Sequence, residues 1–176
     1  MKIAVMGYSG SGKSTLARKL GEMYGIEVLH LDTVHWLPGW QARPDAEKKE
    51  ILSQFMDTHD SWVIDGNYRK QFYERRLEEA DLIVLMLFNR FSCYFRARKR
   101  LRMYRGKSRP DMTEGCNEKV DAEFTKWILF DGRNAQKRRN YQEIRKRYAG
   151  KTVVLKKQRD TDRYLAECTE IVNREV

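Results

Sequence analysis

The residues with the plainest chemistry are Gly7-Tyr8-Ser9-Gly10-Ser11-Gly12-Lys13-Ser14, a full match to G-x-x-x-x-G-K-[ST]. Glycines let such a loop curl so that successive backbone N–H groups face one anion. A helix opening directly after it adds free N–H groups and the positive end of its dipole. Lys13 brings a mobile cation to the β- and γ-phosphates, and Ser14 a hydroxyl for Mg2+, with Thr15 beside it. Gly7, Ser9, Gly10, Ser11, Gly12, Lys13, Ser14 and Thr15 are therefore the expected cradle of a nucleoside triphosphate, with ATP and Mg2+ as cofactors. A glycine-rich turn without a ligand is the competing reading, and the strand before the pattern and the helix after it speak against that.

Such a loop works only when a strand and a helix hold it. Residues 2–6 form a short apolar run, and over 13–24 Leu16, Ala17, Leu20 and Met23 share a helical face that Gly25 terminates. Further strands are predicted over 26–31, 62–64, 81–88 and 152–155. They alternate with helices over 44–58, 70–79, 90–104, 121–130 and 135–148 and a last helix capped at Asp160 or Thr161. The unbroken apolar run after Asp81 implies burial on both faces, as in a parallel sheet. The alternation predicts an α/β fold with right-handed crossovers. Residues 32–43 and 106–118 read as loops, the second polar and mobile. Asp32 and Asp65 close predicted strands, and open parallel sheets bind ligands at the carboxyl ends of their strands. Each reads alternatively as an aspartate that only shapes a turn.

Composition narrows the partners. The 176 residues carry 35 Lys and Arg against 25 Asp and Glu, a net charge of +10. Nucleic acid, a polyphosphate nucleotide or an acidic membrane surface would each answer that charge. Four Trp, nine Tyr and seven Phe argue against general disorder. Cys93, Cys116 and Cys168 are odd in number and far apart, which excludes a disulfide scaffold or zinc cluster and points to reduced thiols. No apolar run approaches the roughly eighteen residues of a membrane helix. A cytoplasmic protein without a membrane partner is the expectation, and no repeat or linker divides 1–176.

Several blocks beyond the loop carry a resemblance. They are His30-Leu31-Asp32 followed by Trp36-Leu37-Pro38-Gly39-Trp40, Trp62-Val63-Ile64-Asp65-Gly66-Asn67-Tyr68, and Arg109-Pro110-Asp111-Met112 with Glu114-Gly115-Cys116 and Asn117-Glu118. Phe124-x-x-Trp127 completes them. Together they resemble the bacterial topology modulation protein (FlaR-like) family, within the adenylate-kinase-like branch of P-loop NTPases. Asn117 departs from that pattern, which has proline there. The resemblance implies a three-layer P-loop NTPase fold with a five-stranded parallel sheet, a single kinase-like domain over 1–176 and a helical, arginine-rich lid within 90–148. It implies transfer of the γ-phosphoryl group of ATP to a small acceptor. Asp65 would then join Ser14 around Mg2+, through water, while Asp32 would orient an acceptor hydroxyl and take its proton. Arg96, Arg100 and Arg133 are the arginines expected to face phosphate, acting with Lys13 and Asp32 in catalysis. Asp32, His35, Trp36, Asn67 and Arg69 are expected around the acceptor. His35 reads alternatively as a solvated or core histidine, and Trp36, Trp40, Tyr68 and Phe72 as packed core.

Two functions compete. A kinase of a nucleoside, nucleotide or hydroxyl metabolite accounts for the loop, both aspartates and the arginines. A nucleotide-regulated nucleic-acid-binding protein affecting DNA topology accounts for the charge and for residues 90–109, but it gives Asp32 no task. No helix-turn-helix or RNA-binding motif appears, and the kinase is the favoured reading.

Overall fold

Apolar runs without polar alternation must be covered on both faces, and three of them lie side by side at the centre of this chain. The computed structural model describes residues 1–175. β1 (Lys2–Gly7) leads through the glycine loop into α1 (Lys13–Tyr24). β2 (Glu27–His30) runs directly into the short helix α2 (Leu31–His35). A small hairpin follows, β3 (Trp36–Leu37) and β4 (Gln41–Ala42), closed by a tight helical turn at Pro38–Trp40. Then come α3 (Asp45–Thr58), β5 (Trp62–Asp65), α4 (Tyr73–Glu79) and β6 (Leu82–Met86). Three helices intervene, α5 (Arg90–Met103), α6 (Ala122–Leu129) and α7 (Ala135–Arg147), before β7 (Thr152–Leu155) and α8 (Gln158–Glu175).

The five longer strands pair in parallel in the order β2-β5-β1-β6-β7. Helices cover both faces, giving the three-layer architecture expected. Successive side chains of a strand point to opposite faces. Ala4, Met6, Ile64, Ile83 and Leu85 therefore meet Leu52, Met56, Leu77, Tyr141 and Ile144 on one side. Ile3, Val5, Val63, Val84 and Met86 meet Leu16, Leu20, Cys93, Ala97 and Ile128 on the other. The register aligns the carboxyl ends: Asp65 lies opposite both Val5 and His30, and Gly7 opposite Met86. The glycine loop, Asp65 and the β2–α2 junction thus share one edge of the sheet.

Three segments differ from expectation. Residues 32–43 are not a plain loop, because Leu31 and Val34, one helical turn apart, are both buried and fold the chain into α2. The helix expected over 70–79 starts only at Tyr73, after Phe72 at a left-handed φ of 44°. Segment 106–118 is polar but fastened. Gly39 N–H donates to Gly115 O (3.2 Å), Thr113 Oγ1 to Trp36 O (2.6 Å), Cys116 Sγ to Leu37 O (3.2 Å) and Trp40 Nε1 to Asn117 O (3.2 Å). Among the described residues, no helix is long and apolar enough to cross a membrane.

Candidate active site

The loop is shaped by what presses on it. Gly7 has φ +142°, and a Cβ there would run into the Met86 carbonyl of the neighbouring strand. Gly12, at φ +99°, leaves the space that the Arg96 guanidinium enters. Lys13 Nζ lies across the loop and donates to Tyr8 O (3.1 Å). Ser11 is fully buried and its hydroxyl has no partner. From outside, Trp127 of α6 donates its indole N–H to Ser9 Oγ (3.1 Å), and the Arg133 guanidinium sits 3.8 Å from the Tyr8 ring centroid.

Asp65 stands beside this loop, 5% exposed. Its Oδ2 lies 3.1 Å from His30 Nδ1, while its Oδ1 is buried without a partner. Burial alone would raise its pKa, but the hydrogen bond from His30, the charge of Lys13 and the nearby Ser14 hydroxyl hold it below the ordinary carboxylate value. An orphaned carboxylate oxygen next to a serine hydroxyl fits Mg2+, which takes oxygen ligands and keeps several waters. Among the described residues no group of three or more His, Cys, Asp or Glu could hold a metal. An ion here would therefore depend on Ser14, Asp65, water and phosphate oxygens.

The turn after Asp65 corrects one expectation. Asn67 does not face an acceptor. Its Oδ1 accepts the Gly7 N–H (3.0 Å) and its Nδ2 donates to Gly7 O (2.6 Å), so both ends of the amide clamp the start of the glycine loop. Arg76 braces the same turn from below, donating to Gly66 O, Tyr68 O and Gln71 O. Burial pulls that guanidinium down to about 10. Arg69 is exposed above Tyr73 and shares a small cleft with Asn67 and Lys137, apart from Asp32.

Asp32 occupies the first turn of α2. Its Oδ1 accepts from the Tyr68 hydroxyl (2.7 Å) and its Oδ2 from Arg109 Nη2 (2.8 Å). Burial, and then the Asp32 charge, push the Tyr68 phenol well above its ordinary pKa. Arg109 is buried and reaches Asp111 (3.1 Å) and Glu118 (3.3 Å) as well. His35 stacks on Tyr68 with ring centroids 4.5 Å apart and meets Trp36 edge-on at 4.6 Å. The structure thus gathers Asp32, His35 and Trp36 into one cluster, and adds Tyr68 and Arg109.

The arginines divide. Arg96 approaches the loop at Gly12 and bonds Gln158 Oε1. Arg100 does not face the loop; Glu118 holds it at 2.7 Å. Arg133 is a buried brace whose guanidinium donates to Ile128 O, Phe88 O and Cys93 Sγ. Sequence reasoning set Arg76 with Arg69 and Arg75 around an acidic acceptor, whereas Arg76 is a buried brace of the turn; it gave Arg109, Glu118 and His30 no individual task. Only His30 had a usable signal, since it ends a strand as Asp65 does.

Residues 3–126, more than half of the chain, match the family described as an AAA domain. No curated protein matches the sequence. Among solved structures, the chain is similar to a shikimate kinase from Bacteroides thetaiotaomicron, at 14% identity and TM-score 0.51, covering 98% of each chain. It is also similar to a sugar kinase from Janibacter sp. HTCC2649, at 17% identity and TM-score 0.50, covering 97% of this chain and 90% of that one. At these identities the likeness is one of fold.

Proposed function

The chain belongs to the AAA domain family, and on that premise we propose that it is an ATP-dependent kinase acting on a small hydroxyl-bearing acceptor, a nucleoside, nucleotide or hydroxyl metabolite. The observation that carries this reading is the pair of carboxylates at one sheet edge in different company. Asp65 keeps an orphaned oxygen beside Lys13 and Ser14. Asp32 is held by Tyr68 and Arg109 beside the His35–Tyr68 stack. A loop that merely binds nucleotide has no use for the second group.

On this reading the glycine loop and Lys13 hold the triphosphate, with Arg96 at its rim. Mg2+, when bound by Ser14 and Asp65, supplies charge neutralisation on the phosphate oxygens. Tyr68 and Arg109 fix the Asp32 carboxylate, which has lone pairs left for an acceptor hydroxyl. The hydroxyl proton passes to Asp32 as the acceptor oxygen bonds to the γ-phosphorus. The bond from that phosphorus to the β–γ bridging oxygen breaks, and ADP leaves. The His35–Tyr68 stack and Trp36 would wall a planar acceptor. Residues 1–176 work as one cytoplasmic unit in which 90–148 includes the lid, in keeping with the resemblance to topology modulation proteins.

A transfer screen with γ-labelled ATP against nucleosides, nucleotides and small hydroxyl metabolites tests this, with calorimetry of Mg·ATP alongside. Lys13→Ala should abolish tight ATP binding. Asp32→Asn should bind ATP as the parent does and transfer about 10²–10⁴-fold more slowly. Parent-rate transfer by Asp32→Asn would remove the proposed base, and no transfer to any acceptor class with ATP bound would overturn the kinase.

A further inference from the structure

Helix α5 has two unlike faces. Cys93 and Ala97 are buried, and Gly10 of the glycine loop packs against the Cys93 carbonyl. On the outside, Phe91 is 64% and Phe95 67% exposed, and Arg98 and Arg102 are exposed as well. At 100° per residue these four fall within about 60° of arc, and they extend about 16 Å along the axis. Residues 82–110 contain no Asp or Glu. Among the described residues no carboxylate pairs with Arg98 or Arg102, which repel each other one turn apart.

We propose that the Phe91–Phe95–Arg98–Arg102 stripe of α5 binds single-stranded nucleic acid, the two phenyl rings stacking on bases and the arginines taking phosphates. Charge complementarity and mixed character select this occupant. A lipid-binding helix keeps its cations on the face opposite its apolar residues, whereas here rings and guanidiniums share one face. A second copy of the chain would set like charges against each other. A single strand offers flat bases and anionic phosphates in alternation, and aromatic side chains with arginines are how such strands are held. DNA and RNA share this chemistry. The site is separate from the proposed kinase site and needs no ATP.

The test is fluorescence anisotropy with labelled 15-mers of oligothymidylate and oligouridylate, against a 15-bp duplex and phosphatidylserine vesicles, without nucleotide. Saturable binding of either oligomer is expected, falling as salt rises, and the tighter of the two identifies the preferred sugar. Phe91→Ala/Phe95→Ala should weaken it at least about 10-fold. Arg98→Gln/Arg102→Gln should flatten the slope of log K against log salt by about 0.7 per arginine. All four positions are exposed, and unchanged melting of the variants checks that they fold. The proposal is overturned by no oligomer binding at low salt, by binding indifferent to the phenylalanines, or by tighter binding to duplex or vesicles. Self-association abolished by Phe91→Ala/Phe95→Ala, with no oligomer bound, would instead assign the stripe to a dimer.

Discussion

Asn67 and His35 are polar side chains with unlike surroundings. Asn67 uses both ends of its amide on the Gly7 peptide, so it holds the loop's shape. Asn67→Ala would leave a part-buried N–H and C=O unanswered, a loss of about 1–3 kcal/mol. Denaturant unfolding should show that loss, calorimetry should show weaker Mg·ATP binding, and the KM for any acceptor should stay put. His35 is held neutral. Burial first, and then the charge of Lys48, lower its pKa from 6.5, while Asp32 and Asp45 pull the other way. The unfolded chain therefore binds this proton more readily. The stability that follows is fully present above pH 6.5 and is lost as pH falls through the lower folded value. His35→Phe should flatten that fall in urea melts taken between pH 7 and 5. At this scale the sequence was legible wherever the chemistry is local. The turn from strand to helix across Gly7–Thr15 follows from adjacent residues. Asn67, Arg100 and Arg133 were misplaced because their partners lie 60, 18 and 45 residues away, where spacing carries no signal.

Among the elements, the segment 106–118 shows what composition hides. Its glycines, proline and charges read as mobile, yet Arg109, Met112, Cys116 and Glu118 are all buried: Arg109 donates to Asp32, Cys116 to Leu37 O, and Glu118 pairs with Arg109 and Arg100. The tie is electrostatic at its centre. One guanidinium faces Asp32, Asp111 and Glu118, and Glu118 passes the connection to Arg100 on α5. Removing a single partner from a buried pair costs about 3–5 kcal/mol, because the charges left behind are unpaired. Arg109→Met should therefore destabilise the chain by about that much and raise hydrogen exchange across 106–118 and α2. In the parent, the Gly39 and Cys116 amides should already exchange slowly without nucleotide; fast exchange there would show that the strap is open in solution. The three central strands, β1, β5 and β6, were readable because burial on both faces leaves an apolar run. The β3–β4 hairpin was not, since two residues per strand establish no periodicity.

For the whole molecule, the central strand decides how binding is felt. β1 lies between β5 and β6, contributes side chains to both hydrophobic layers, and ends in the glycine loop. A ligand gripped by that loop is thus attached to the element that both layers share. Anything that binds only the folded state adds RT ln(1 + [L]/Kd), about 2.7 kcal/mol at one hundred times Kd. For a chain of this size each kcal/mol raises Tm by roughly 2–4 °C, so saturating Mg·ATP should raise it by about 5–11 °C. Scanning calorimetry should show one peak moving as a unit, because helices α5 to α7 contribute Cys93, Ala97, Ile128, Tyr141 and Ile144 to the same two layers. Lys13→Ala should melt near the parent temperature without nucleotide and gain nothing from adding it. A parent peak that splits, with only part of it moving, would mean that 90–148 folds separately from the strands. A parent peak that does not move would mean that the loop leaves the triphosphate unbound.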